Sequence, residues 1–494
     1  MLFTDFWFVV LVLVTMALFY TPVLRRWQTA ILVLSSFVFY SLNQFIYLPL
    51  LLVSIAMNAL VSHAVFFRRD RKQARFWLIV GLVSNLAILC FFKYMGLLGR
   101  SLPGHWTAAG EPAHWMLMIA LPVGISFFTF EGISLVVDSY KARNEPTFFG
   151  TESTDKGKHL LKTTLFVSFF PHLVAGPILK AHDFYPQIKE KFFNWIDWNF
   201  CFRKLTIGYF LKMVVANNLE QQTFWLKYPY FLNRASGELL LLLFGYSMQI
   251  FADFAGYSLI AIGVAGLFGY RLPENFEFPY IARSFGEFWR RWHISLSSWL
   301  KEYLYFPLGG NRRGKVRTYV NLFIVMFLGG LWHGAAWSYA LWGMTHGAAL
   351  AIERFIKDRT GGDKRDPALD PWYVQAGQIL FVFFVVTAAW LLFKLPDFSH
   401  VIEYVKATAV NWDKPVSAGR VFNILLFSLP VVVYHVAYLV LESRQRATTR
   451  AVEAPIQPAL PAATAWLRPV AYGLMLFLIA VNSGTGGEFI YFQF

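Results

Sequence analysis

The chain has 494 residues, of which 57% are hydrophobic and only 15% charged, well below the roughly 25% of an average soluble domain, so water cannot be its main solvent. A net charge of +15 would suit nucleic acid, but the cations sit in short loops between apolar runs, the pattern left when Lys and Arg are retained on the cytoplasmic side of a bilayer. Two cysteines, Cys90 and Cys201, show no zinc or redox spacing and argue against a disulfide framework.

Met1 to Asp5 carries no basic residue and no small-residue cleavage site follows, so the first apolar run is expected to remain as a span. A hydrocarbon core of about 30 Å needs about 20 residues of helix. Candidate spans run from Phe6 to Leu24, Thr29 to Leu42, Ile46 to Phe67, Phe76 to Leu98 and Trp115 to Val137. Arg25 and Arg26, then Arg68 to Arg75, then Lys141 and Arg143 mark every other loop, which puts the N-terminus outside and the loop after Val137 in the cytosol.

From Leu160 to about Leu219 the apolar pattern is interrupted by Pro171, Gly176, Pro177 and the polar segment Lys180 to Trp198. Irregular backbone at membrane depth survives only where protein or a water-filled cavity satisfies it, so a re-entrant or cavity-lining element is expected there. An apolar region from Leu239 to Phe268 precedes the basic segment Arg283 to Arg317. Spans near Tyr319 to Leu341, Gly343 to Ile356, Val374 to Phe393, Val421 to Leu441 and Pro469 to Val481 follow, with basic loops at Lys357 to Arg365 and Arg444 to Arg450. The alternation leaves the C-terminus outside too. The expected fold is all-α: a polytopic integral membrane protein of about ten to twelve transmembrane helices, with re-entrant and interfacial helices, forming one membrane domain over residues 1–494. No repeat or matched pair of broken helices points to a transporter built from repeated units.

Ionisable side chains within spans cost free energy and are functional candidates by default. His333, in Gly329-Gly330-Leu331-Trp332-His333-Gly334, stands 16 residues past Arg317, or about 24 Å along a straight helix. The three glycines permit close helix contact or leave room for a ligand; a neutral histidine bridging helices is the structural alternative. His293 lies in Phe288-Trp289-Arg290-Arg291-Trp292-His293-Ile294-Ser295-Leu296-Ser297, where aromatics interleave with cations. That pattern fits an interfacial helix anchored at headgroup depth. It fits equally a site where Arg290 and Arg291 grip the phosphates of an anionic acyl donor, with Lys301, Arg312, Arg313 and Lys315 extending the patch. Asp253 is an acid in an apolar run that either orients a histidine or pairs with a cation; His172, between Pro171 and Pro177, either lines a cavity or punctuates a loop. His346, 13 residues after His333, is a further candidate. No zinc motif, phosphate loop or nucleophile elbow is present, and no metal is expected.

Read together, four segments resemble the membrane-bound O-acyltransferase family, and within it the bacterial alginate O-acetyltransferase-like subunits. They are Phe169-Phe170-Pro171-His172-Leu173-Val174-Ala175-Gly176-Pro177-Ile178, Asp253-Phe254-Ala255-Gly256-Tyr257-Ser258, the His293 segment continuing to Tyr305-Phe306-Pro307-Leu308-Gly309-Gly310-Asn311, and Gly330-Leu331-Trp332-His333-Gly334-Ala335. The C-terminal Tyr491-Phe492-Gln493-Phe494 is also similar. The resemblance implies that His333 is the intramembrane catalytic histidine and His293 the second catalytic position; Asp253 and His172 remain candidates for lining or orienting the passage. It also implies a bowl of helices pierced by a tunnel, an acetyl-CoA donor entering from the cytosol with no bound cofactor, and a periplasmic acetyl-transfer partner working with a polysaccharide synthesis complex. The setting implied is a bacterial inner membrane with both termini periplasmic. Leu259 stands where many alginate-type members have Asp, a feature closer to relatives that move D-alanine onto teichoic acids. D-alanyl transfer and a transporter or flippase without bond chemistry are the alternatives.

Overall fold

In lipid, a backbone must satisfy its own polar groups, and helix does so within a single segment. The protein, described from a computed structural model over residues 2–68, 70–107, 110–111, 113–143, 155–361, 370–448 and 467–482, accordingly contains no strand among the described residues and only one isolated β-bridge, between Phe276 and Trp292. It is an all-α, polytopic membrane protein. The helical stretch Pro22–Phe67, which contains the helices Gln28–Gln44 and Leu48–Phe67, and the helices Arg71–Ser101, Ser236–Leu267, Trp372–Lys394 and Ala418–Arg444 are long and apolar enough to cross a bilayer, and Phe6–Tyr20 and Leu467–Val481 are shorter apolar helices. Tyr491 to Phe494 lie outside the described residues.

Three boundaries differ from the sequence reading, each for a local reason. The expected span from Trp115 to Val137 breaks into a short helix Trp115–Met118 and a longer one, Ile125–Lys141. Gly124 makes the break: its φ is +78°, and a β-carbon there would lie 2.6 Å from the carbonyl oxygen of Leu173. The expected spans from Tyr319 to Leu341 and Gly343 to Ile356 are instead helices Lys315–His333 and Trp337–Thr360. Gly334 ends the first of these, with the Tyr339 ring 2.1 Å from where its β-carbon would sit. An additional 13-residue helix, Phe398–Val410, is capped by the Asp397 carboxylate, which accepts from the Ser399 N–H at 2.9 Å.

The chain divides into two compact units, one of Met1–Leu205 with Ser258–Glu274 and one of Thr206–Tyr257 with Asn275–Phe494. In the first, helices Leu48–Phe67, Arg71–Ser101 and Ile125–Lys141 pack together around a reciprocal amide pair, Asn58 and Asn85, whose two hydrogen bonds measure 3.2 and 2.8 Å. Gly132 admits that pair, since any β-carbon there would come within 2.5 Å of both amides. Interhelical bonds of this kind contribute about 0.6 kcal/mol each in lipid, up to about 1.7. The segment Phe169 to Leu179 is irregular, as its prolines demand, and buried throughout. Ser36 in the helix Gln28–Gln44 accepts from the Phe170 N–H at 3.1 Å, one of the contacts that satisfies the broken backbone.

In the second unit the helices Lys315–His333 and Trp337–Thr360 approach closely. Glycine makes that approach possible. A β-carbon on Gly343 would sit 2.3 Å from the Met326 carbonyl oxygen, one on Gly330 would sit 2.3 Å from the Tyr339 carbonyl oxygen, and one on Gly347 would meet the Phe323 Cα at 3.1 Å. Gly343 and Gly347 form the Gly-x-x-x-Gly spacing that lets membrane helices touch backbone to backbone.

Candidate active site

His333 is the last residue of its helix, 5% exposed, and its position is set by the glycine-lined hairpin. Its ring stands in an aromatic cage: Trp342 edge-on with centroids 5.2 Å apart, Phe393 at 5.4 Å and Trp332 at 5.1 Å. The helix runs unbroken from Lys315, so the imidazole is carried away from the exposed cations Arg312, Arg313, Lys315 and Arg317, as the count of 16 residues anticipates. Trp342 also touches His346, at 4.8 Å, which therefore lies one aromatic ring from His333.

His293 lies beside it, its ring centroid 6.1 Å from that of His333. It is fully buried and sits between two seven-residue helices, Phe285–Arg291 and Ile294–Leu300. Its backbone is left-handed, φ +45° and ψ +54°, a conformation that costs about 1–3 kcal/mol for a residue with a β-carbon. The cost is offset by a short antiparallel pairing. The Glu277 N–H donates to the Arg291 carbonyl at 2.9 Å and the Ile294 N–H donates to the Asn275 carbonyl at 3.0 Å, on either side of the Phe276–Trp292 bridge. The side chain of Asn275 lies against the imidazole, its Oδ1 3.1 Å from Nδ1. Phe254 closes the other side, edge-on at 4.6 Å. Burial lowers the His293 pKa to about 3, so the ring is neutral at physiological pH.

Asp253 takes the structural option. Its carboxylate is 2.7 Å from the Lys212 ammonium, and both side chains are 3% exposed. Lys212 belongs to a π-helical stretch, Phe210–Ala216, and Gly256 lets that stretch approach, because a β-carbon at 256 would lie 2.9 Å from the Lys212 nitrogen. Asp253 and Gly256, three residues apart, share the helix face turned to Lys212. Phe254, about 100° round the helix, meets His293. One short motif thus serves both an ion pair and the wall of the histidine site.

The two arginines differ. Arg291 is engaged: its Nε and Nη2 reach the Glu287 carboxylate at 3.0 and 2.9 Å, and its Nη1 donates to the Glu277 carbonyl at 3.2 Å. Arg290 is exposed at the same helix end, as are Lys301, Arg312, Arg313 and Lys315. The aromatics of this segment turn inward rather than toward lipid, with Phe288, Trp289 and Trp292 at 1%, 9% and 2% exposure. A headgroup anchor of the kind the alternation suggested would show the opposite.

His172 belongs to the first unit. It is fully buried, and its Nδ1 is 2.9 Å from the equally buried Glu131 Oε1, beside the rings of Phe169 and Phe184. The residues brought together in the second unit are therefore His333, His293, His346 and, behind Phe254, Asp253. Sequence reasoning missed Lys212, although a lone lysine in the run Gly208 to Ala216 is the kind of signal that found Asp253. It also missed Asn275 and the Gly343–Gly347 spacing; neither has a cue apart from its partner.

A family model described as MBOAT, the membrane-bound O-acyltransferase family, matches residues 114–395. A Pseudomonas putida protein described as a probable alginate O-acetylase is 32% identical over 487 residues, which cover 95% of each chain. A peptidoglycan O-acetyltransferase of Helicobacter pylori is 35% identical over 405 residues, covering 76% of this chain and 72% of that protein. A teichoic acid D-alanyltransferase of Bacillus subtilis is 27% identical over 323 residues, covering 63% and 76% respectively. The chain belongs to the membrane-bound O-acyltransferase family and is an O-acyltransferase.

Proposed function

We propose that this O-acyltransferase takes an acetyl group from cytosolic acetyl-CoA and passes it along a transmembrane passage for O-acetylation of an exported polysaccharide, alginate-like or otherwise, through a periplasmic partner. The observation that carries the reading is the pairing of His333 and His293 at 6.1 Å between ring centroids, inside a buried aromatic cage. The membrane in question is the bacterial inner membrane, with both termini periplasmic. Among the relatives above, those named for O-acetylation align at higher identity than the one named for D-alanyl transfer, which favours acetyl although Leu259 points the other way. Family membership removes the support for transport without bond chemistry.

In this mechanism the acceptor hydroxyl attacks the thioester carbonyl while the neutral His333 imidazole takes its proton, the general-base role open to a ring nitrogen that carries a lone pair. The tetrahedral intermediate then collapses, breaking the C–S bond, and the His333 imidazolium returns its proton to the leaving CoA thiolate. His293 either positions the donor or polarises its carbonyl. Arg290, exposed at the helix end, binds donor phosphate, whereas Arg291 supports the loop through Glu287.

Substituting His333→Ala should leave the folded protein in the membrane while CoA release from acetyl-CoA and polymer acetylation fall by about 10²–10⁴-fold; retained turnover removes His333 from the mechanism. Supplying labelled acetyl-CoA and, separately, a labelled D-alanyl carrier protein decides the donor, since product acquires label from only one.

A further inference from the structure

Asn275 lies 18 residues before His293 in sequence, yet it determines which imidazole nitrogen carries the proton. Its Oδ1 accepts three hydrogen bonds: from the Ser295 backbone N–H at 3.2 Å, from the Ser295 hydroxyl at 2.9 Å, and from His293 Nδ1 at 3.1 Å. The Ser295 N–H can only donate, so the amide atom facing it must be the oxygen. An amide oxygen only accepts, so Nδ1 of His293 must hold a hydrogen. A neutral imidazole carries one, and its Nε2 is therefore a bare lone pair. That nitrogen is buried and has no hydrogen-bond partner among the described residues, and a buried polar atom without a partner calls for a ligand or water.

We propose that Asn275 is a positioning residue that locks His293 as the Nδ1–H tautomer, so that Nε2 acts as the hydrogen-bond acceptor for an N–H or O–H of the bound substrate. The inference rests on the acyl-transfer reading and narrows it. A neutral ring with a bare Nε2 cannot polarise a thioester carbonyl, which needs a donor, so His293 holds a hydrogen-bearing group instead. Two sources offer that chemistry: the amide N–H groups of the donor's pantetheine arm and the acceptor hydroxyl. The groups around the ring leave its neutral form undisturbed. His333 and Trp332 face it at 6.1 Å and Phe254 at 4.6 Å. The Asp253–Lys212 pair behind Phe254 is internally compensated, as is Arg291 by Glu287.

The test uses the full chain in lipid nanodiscs with ¹⁵N-labelled histidine, the His293 signals being identified by their loss in His293→Gln. Nδ1 should be protonated and Nε2 bare from about pH 5 to 8, and Asn275→Leu should give a mixture of tautomers. Asn275→Asp keeps every acceptor contact and guards against a folding failure in the leucine variant. Its carboxylate stabilises the imidazolium, so the ring should protonate at higher pH than in the parent. A parent spectrum with hydrogen on Nε2 overturns the assignment whether or not acetyl transfer is observed. In CoA release from acetyl-CoA, Asn275→Leu should lose on the order of tenfold or more, and Asn275→Asp should move the acid limb of the pH profile upward while keeping turnover at high pH. An unmoved acid limb overturns the role in the reaction. A raised KM for acetyl-CoA identifies the pantetheine amide as the ligand, and a lowered kcat at constant KM identifies the hydroxyl. Absence of release from the parent chain counts against acetyl-CoA as donor and leaves the nitrogen spectra to decide Asn275.

Discussion

Adding a single methyl group at Gly343 separates two effects of opposite sign. By helix propensity alone, Gly343→Ala should stabilise the helix Trp337–Thr360 by about 1 kcal/mol. The structure reverses that expectation, because the new carbon would sit 2.3 Å from the Met326 carbonyl oxygen and 3.1 Å from the Gly330 Cα. These are backbone atoms, so no side-chain rotation relieves the clash. Opening the oxygen contact from 2.3 Å to an ordinary 3.4 Å requires the helices to part by 3.4 − 2.3, about 1.1 Å. His333 ends the helix that would move. A displacement of about 1 Å at a reacting group costs on the order of 10²-fold, or about 2.7 kcal/mol of barrier at 1.36 per decade. Purified Gly343→Ala should therefore release CoA from acetyl-CoA about 10²-fold more slowly than the parent while remaining inserted in the membrane. Gly377→Ala, where a β-carbon meets nothing within 4 Å, should leave turnover unchanged. Parental turnover in Gly343→Ala would refute the claim that backbone contact between these helices sets the imidazole.

Two further expectations follow from the ion pairs. Lys212→Met removes the ammonium from the buried Asp253 carboxylate and should lower stability by about 3–5 kcal/mol, whereas the double variant Lys212→Met/Asp253→Leu should recover most of the loss in thermal unfolding; equal destabilisation by both would show that the pair is not what holds these helices. Arg290→Ala should raise the KM for acetyl-CoA about tenfold, the scale of one charge-assisted hydrogen bond, with no change in thermal midpoint. Arg291→Ala should instead lower the thermal midpoint, since it removes the contacts to Glu287 and Glu277. The opposite assignment of effects would exchange their roles.

Hydropathy, loop charge and four short motifs were enough to read an all-α membrane O-acyltransferase from the sequence, because apolar length and backbone self-satisfaction are properties of contiguous residues. The pair of histidines was legible as well, since each stands out against an apolar or aromatic background. The partners of those residues were not legible. Whether Asp253 would meet a cation or a histidine depended on Gly256 and a π-helical stretch that brings Lys212 within 2.7 Å, and Arg290 and Arg291 are equivalent in sequence until Glu287 engages one of them. The helix break after His333 and the backbone contact at Gly343 depend on how two helices cross. Local chemistry along the chain therefore named the candidate groups. The choice of which nitrogen of His293 is bare, and which rings besides that of neighbouring Trp332 enclose His333, fell to tertiary structure, because the contacts of Asn275, Trp342 and Phe393 depend on how separate elements meet and have no periodic trace along the chain.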